Sequence, residues 1–305
     1  MKNRSRFVRL LVLVLTLALS AFPPCFGWAE TEGGPALAEG ADLRVMSFNI
    51  LHPDWSHIPV KGRGEIVADI LLSYRPDVVA LQEAGAKWHK ALKPLLADTG
   101  LYAPACRQSN AEGFIYCATT FLYNPQTVRL AEEYILDLDF KDAARVFSVA
   151  VFERLSDGVR FVVTNTHPAP RDQAENYARN MPDLMAFAAD TVQKYAGLPV
   201  ILAGDFNTPE QSDLYGELMN AAGVRDAKYA ADVLVRNCST WFGYRDVPDP
   251  DNREYCVDHL FVNDWVDVKL FSIVLDHGVE NASDHTPIYA DVCLKKESAA
   301  RPATF

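Results

Sequence analysis

The chain has 305 residues, of which 49% are hydrophobic and 23% charged, and its formal charge is −11. That length and apolar share suit one large globular core. The acidic balance excludes an extended basic groove for nucleic acid, so a polyanion would have to be held by a local patch or a metal.

The first element lies outside any fold. Lys2, Arg4, Arg6 and Arg9 precede an apolar run from Leu10 to Phe22 broken only by Thr16 and Ser20, and Gly27 and Ala29 supply the small residues a signal peptidase reads. The run is too short to cross a bilayer comfortably, so a cleaved export signal over 1–29 is expected in preference to an uncleaved anchor. Pro24 before Cys25 speaks against a lipoprotein site. Cleavage moves the formal charge from −11 to −15 and predicts a secreted or periplasmic protein without a stable membrane anchor, expected to be a monomer. Residues 30–41 are expected to form a flexible N-terminal segment, 42–295 one domain and 296–305 a disordered tail.

Strand-like runs follow at 43–49, 77–83, 119–123, 145–153, 160–167, 198–207, 257–262, 268–275 and 287–294. Between them, 64–76 places Ile66, Ile70, Leu71 and Tyr74 on one helical face and stops at Pro76. A second helix, 174–197, repeats Tyr177, Met181, Leu184, Ala188, Thr191 and Tyr195, with Pro182 expected to interrupt or kink it. Helices alternate with strands early and strands follow strands later. The fold class is therefore α/β of the α+β kind, two packed mixed β-sheets flanked by helices. In an oxidising compartment the cysteine spacing predicts Cys106–Cys117 and Cys238–Cys256 disulfides, with Cys293 left over.

The strand ends carry a restricted set of polar residues: Asn49, Glu83, Asn165 and His167, Asp205 and Asn207, Asp258, then Asp284 and His285. Apolar strands delivering these side chains to one rim would build an oxygen-rich cluster with imidazoles, the donor set of Mg2+ or Mn2+. His52, three residues after Asn49, is read as a solvated loop histidine in preference to one that approaches the site.

The ordered segments SFNI, LQE, NTH, GDFN, VDHLFV and SDHTPI, spread from Leu43 to Leu294, resemble the endonuclease/exonuclease/phosphatase superfamily, which includes DNase I. The resemblance implies a DNase I-like four-layer sandwich and a metal-dependent phosphoric ester hydrolase. It implies Glu83 as main Mg2+ ligand, with Asn49 and Asp284 in or beside its shell. His285 would face the attacking water, held by Asp258, while Asp205 positions or deprotonates that water. Asn207 would donate to a phosphoryl oxygen, and His167 would stabilise phosphate charge or assist the leaving group. Two positions depart from the family pattern. Pro168 follows His167 where leucine is common, and 114–120 offers no acid to orient His167, which leaves Glu112 as the nearest candidate.

The substrate is expected to be a phosphate ester: a small molecule, a nucleic acid or a phospholipid headgroup. A secreted non-specific endonuclease would need rim cations, for which Arg107, Arg171, Arg179, Arg245 and Arg253 are dispersed candidates. A sphingomyelinase-like lipid phosphodiesterase would use an exposed aromatic loop, for which Trp241, Phe242 and Tyr244 are candidates. The alternative of another class is a non-catalytic binding protein on the same fold.

Overall fold

The computed structural model describes residues 35–100, 102–106, 118–139, 145–243 and 247–296. The expected export signal, Arg107, Glu112, Cys117, Tyr244, Arg245 and residues 297–305 lie outside them. Every residue of β1 (Leu43–Asn49) is buried, because the strand is covered on both faces. Leu43 and Val45 join the apolar layer between two sheets, and Met46 and Phe48 lie in the layer under helices.

The elements follow in the order α1 (Val60–Tyr74), β2 (Val78–Gln82), α2 (Ala86–Leu96), β3 (Ala103–Ala105), β4 (Thr120–Tyr123), β5 (Val128–Leu138), β6 (Arg145–Arg154) and β7 (Arg160–Thr166). Then come α3 (Ala174–Lys194), β8 (Val200–Asp205), α4 (Asp213–Ala222), β9 (Arg225–Asp226), α5 (Ala227–Ala230), β10 (Val233–Leu234), β11 (Asp258–Val262), β12 (Val266–Ile273) and β13 (Ile288–Leu294). One sheet has the order β10-β12-β13-β1-β2-β4-β3 and the other β5-β6-β7-β8-β11-β9. Both are mixed: β1 is parallel to β2 and antiparallel to β13, and β7 is parallel to β8, which is antiparallel to β11.

The two sheets pack face to face through Val45, Val78, Ala80 and Phe121 on one side and Phe152, Phe161, Val163, Ala203 and Leu260 on the other. Val67, Ile70 and Leu71 of α1 and Trp88 and Leu92 of α2 cover the outer face of the first sheet, and Met181, Leu184 and Ala188 of α3 and Leu218 of α4 cover that of the second. The result is the expected four-layer sandwich, two mixed sheets between helical layers.

α3 runs through Pro182 as one helix, so the expected interruption does not occur. Met181 and Leu184, on either side of the proline, are both buried, and that packing offsets the hydrogen bond the proline removes. β5, with Glu132, Glu133 and Asp137 among its apolar residues, was not read as a strand; its exposed positions alternate with less exposed ones along one edge of the second sheet. Within the stretch expected to be flexible, Pro35 and Ala36 accept from the Arg44 guanidinium and Ala38 N–H donates to Asp291. No described helix is long and apolar enough to cross a membrane.

The disulfide expected between Cys238 and Cys256 is not formed: both are free, buried thiols, and Cys256 Sγ is directed at the Cys238 carbonyl at 3.1 Å. Cys106 and Cys293 are also free, and the other expected pair involves Cys117, outside the described residues.

Candidate active site

The sheet topology brings the polar strand ends together. Asn49, Gln82, Thr166 and Asp205 are the C-terminal residues of the parallel-running β1, β2, β7 and β8. The antiparallel β11 places Asp258, its first residue, directly opposite Asp205, and β13 starts opposite Ser47 near the end of β1. Six strands from two sheets thus deliver side chains to one rim.

Gly204 makes one of these approaches possible. Its φ is +153°, and a Cβ there would lie 2.4 Å from the Thr166 carbonyl oxygen. Only glycine fits so close to the neighbouring strand, and this contact sets His167, which follows β7, beside Asp205, which ends β8.

Asp205 is the centre of the cluster. Its Oδ2 accepts from Asn49 Nδ2 at 3.0 Å and lies 3.2 Å from His167 Nε2 and 3.7 Å from His285 Nε2. Its Oδ1 accepts from the Asn207 N–H at 2.9 Å. Burial would raise this carboxyl, but the two imidazoles and the Asn207 N–H outweigh burial and hold it well below the ordinary carboxylate range. His285 turns its other nitrogen, Nδ1, to Asp258 Oδ2 at 2.8 Å. Burial would lower the imidazole, but Asp258, Asp205 and Asp284 reverse that and hold it well above its usual value. Asp205, Asp258 and His285 can each offer an atom within 4.8 Å of the others.

Glu83, Asn49 and Asp284 lie on the adjoining side. Asn49 Nδ2 also donates to Glu83 Oε1 at 3.2 Å, and the His52 N–H donates to Glu83 Oε2. Burial pushes the Glu83 carboxyl up, with Asp284 adding to the effect and His167, His285 and Asn49 opposing it. Asp284 Oδ2 accepts from Trp241 Nε1 at 3.2 Å, while its Oδ1 is buried with no hydrogen-bond partner.

His167 Nε2 lies 3.2 Å from Asp205 Oδ2; Glu112, its expected carboxylate partner, lies outside the described residues. Asn207 Nδ2 donates to the Pro168 carbonyl at 3.0 Å, so one of its two amide hydrogens secures the loop after His167. His52 is tied by its backbone to Glu83, not merely solvated. Asn165 does not reach the rim: it is buried between the sheets, donating to the Leu81 and Thr120 carbonyls and accepting from Gln82.

Sequence reading missed two hydroxyls that hold the site. Thr240 Oγ1 accepts from the Val257 and Asp258 N–H groups at 3.0 Å each. Ser283 Oγ donates to the Asn49 carbonyl at 2.6 Å and accepts from the His285 N–H. The signal for Ser283 was its place before Asp284 at a turn; Thr240 had none. Trp241, considered as a lipid contact, bridges to His285 through its backbone and packs edge-on against Tyr255.

A second group of potential ligands, Glu210, Asp226 and His259, lies under α5. Lys228 pairs with Glu210, the Tyr215 hydroxyl donates to Asp226, and His259 Nε2 shares a hydrogen bond with the Thr208 carbonyl. Those contacts satisfy the group as a structural network.

A family model described as the endonuclease/exonuclease/phosphatase family matches residues 46–285. No curated protein matches the chain. Solved structures share the fold. An endonuclease/exonuclease/phosphatase from Bacteroides vulgatus is 19% identical, with a TM-score of 0.71, over 83% of this chain and 99% of that one. A mannosyl-6-phosphatase of Bacteroides thetaiotaomicron is 17% identical, with a TM-score of 0.67, over 83% and 100%. The human Nocturnin catalytic domain, solved with bound sulfate, is 18% identical, with a TM-score of 0.63, over 84% and 94%.

Proposed function

The chain belongs to the endonuclease/exonuclease/phosphatase family, and on that premise we propose that it is an exported Mg2+-dependent phosphoesterase, also served by Mn2+, that hydrolyses a phosphodiester or phosphomonoester by in-line attack of water. The observation that carries this reading is the His285 imidazole, fixed by Asp258 at 2.8 Å with its other nitrogen turned toward Asp205. That arrangement orients a water beside the imidazole.

The residues fit a hard divalent cation. Asp284 Oδ1 is a buried oxygen without a hydrogen-bond partner, Glu83 is a buried carboxylate beside it, and all the donors are oxygen. Glu83, Asp284 and Asn49 would hold the ion, which when bound supplies positive charge against the phosphoryl oxygens.

The chain's own groups do the rest. Asp205, held ionised, accepts a hydrogen bond from the water and aims its oxygen at phosphorus. The bond from that oxygen to phosphorus forms as the ester P–O bond breaks, and the water's proton passes to the Asp205 carboxylate, beside the already protonated His285 imidazole. His167, 3.2 Å from Asp205, places positive character beside the phosphate and the departing oxygen. Most of this is positioning and charge neutralisation, which is what phosphoryl transfer requires.

A compact phosphate ester is favoured as substrate. The formal charge is −15 once residues 1–29 are removed, so long-range attraction to a polyanion is weak. Trp241 is engaged with Asp284 and is not a free membrane tooth. The test is a side-by-side assay of small diesters and monoesters, sugar and inositol phosphates, plasmid DNA, RNA and sphingomyelin, with Mg2+ and with EDTA. Hydrolysis of small esters that EDTA abolishes is expected. Efficient plasmid nicking with the other substrates untouched would establish a DNase-like enzyme instead, and EDTA-insensitive turnover would remove the metal from the reading. Export is checked by N-terminal sequencing of the native protein, expected to begin at Glu30.

A further inference from the structure

Arg63 is among the largest fully buried side chains of the molecule, with no solvent exposure. A buried guanidinium ordinarily pairs with a carboxylate. Here its four hydrogen bonds go to main-chain carbonyls: Nε to Ala282 at 2.7 Å, Nη1 to His52 at 3.2 Å, and Nη2 to Ile50 at 2.5 Å and Leu51 at 2.7 Å. Its flat face lies 4.8 Å from the Trp88 ring centroid, and Trp88 Nε1 donates to the same Leu51 carbonyl at 2.9 Å.

Those four carbonyls belong to two loops that are distant in sequence. Ile50, Leu51 and His52 directly follow Asn49, and the His52 N–H is the donor to Glu83. Ala282 stands two residues before Asp284. Arg63 therefore holds the loops beside Asn49 and Asp284, two of the three residues assigned above to the metal, and reaches the third, Glu83, only through the His52 loop, without a hydrogen bond of its own to any of these side chains. Glu83 and Asp284 are also the acids whose charges favour its charged form; burial brings it down to about 10, and it stays protonated at neutral pH.

We propose that Arg63 is the positioning residue for the metal side of the site, acting by the fork geometry of its guanidinium, which sets the Asn49 loop and the Asp284 loop at one fixed separation. The inference rests on the assignment of Asn49, Glu83 and Asp284 to the metal. A lysine at this position keeps the charge but has no planar fork, so it cannot span carbonyls on two loops at once. If charge alone mattered, lysine would serve.

The experiment is Mn2+ binding to metal-free protein, followed by electron paramagnetic resonance of the free ion and by calorimetry, for the wild type, Arg63→Lys, Trp88→Phe and Leu184→Ala. Partners that orient metal ligands typically change affinity ~10- to 100-fold, so Arg63→Lys is expected to weaken Mn2+ binding at least ~10-fold, lower kcat and leave KM within about 2-fold. Trp88→Phe keeps an aromatic face under the guanidinium but removes the N–H to Leu51 together with the fused ring that carries it, and a smaller weakening in the same direction is expected. Leu184→Ala removes packing under α3, in the opposite helical layer. It is expected to melt earlier and to bind Mn2+ as the wild type does, which separates positioning from general loss of stability. Arg63→Lys and Trp88→Phe proteins that bind Mn2+ as tightly as the wild type overturn the inference alone. A folded wild type that binds no Mn2+ overturns the metal assignment and the inference with it. If Arg63→Lys does not fold, Trp88→Phe decides.

Discussion

His285→Ala removes the imidazole that Asp258 orients, and Asp205→Ala removes the carboxylate on which Asn49, His167 and His285 converge. Each is expected to lower turnover of bis-p-nitrophenyl phosphate at least ~10²-fold, the usual scale for a positioned acid or base, with the far-ultraviolet circular dichroism unchanged. Equal turnover by mutant and wild type would remove these residues from the mechanism. Glu83→Gln keeps the shape and halves the negative charge contributed by Glu83 and Asp284. It is expected to raise the Mg2+ concentration for half-maximal rate, and an unchanged metal dependence would strike Glu83 from the ligand set. Asp205, Asp258 and His285 were legible in sequence because each stands where an apolar strand begins or ends, and a sheet rim is where such residues meet. Asn207 was legible as a rim residue, but its bond to Pro168 was not, since nothing in GDFN says that its amide reaches that carbonyl. Arg63 was illegible: one arginine on a helix reads as solvated until the carbonyls of two distant loops are seen around it.

At the scale of elements, Gly204 carries a prediction of its own. Gly204→Ala would put a Cβ 2.4 Å from the Thr166 oxygen and force β7 and β8 apart. A loss of at least ~2 kcal/mol in denaturant unfolding is expected, together with reduced turnover, because His167 and Asp205 separate. A midpoint within error of the wild type would show that the strands can slide without cost. The buried strands were legible as apolar runs close to their observed bounds, since strands covered on both faces lose the alternating pattern but keep the composition. β5 was not, because its acidic residues interleave with apolar ones at the rim of the second sheet. The continuation of α3 past Pro182 depends on burial against β6 and β7, which no local rule supplies.

The molecule as a whole is tied together by charges far from the rim. Arg154 of β6 pairs with Asp157 at 2.7 Å and with Asp42, just before β1, at 2.5 Å, while the Leu294 N–H at the end of β13 also donates to Asp42. Burial would raise the Asp42 carboxyl, but Arg154 and the Leu294 N–H outweigh it and hold it below its ordinary value. A carboxyl depressed on folding adds stability that is present above its unfolded value, about pH 4, and lost as pH falls through the folded one. Asp42→Asn is therefore expected to melt below the wild type at pH 7, with the gap closing below about pH 4. A gap that stayed constant with pH would mean that the pair adds nothing by charge. The layered class was legible from the order of elements, but the order of strands in space was not. Ser283 reaches Asn49 across 234 residues, and no local pattern records which distant strands become neighbours.

The strand order also governs when the protein can first act. β13 is the last of the described strands in chain order, yet it sits inside the first sheet between β12 and β1, and Asp284 and His285 precede it. A chain that has already made β1 to β11 still lacks the second neighbour of β1 and two of the rim's side chains. Until residues 284–294 have joined the sheet, the proposed site lacks Asp284 and His285, and a chain stopped before them is expected to be inert toward phosphate esters.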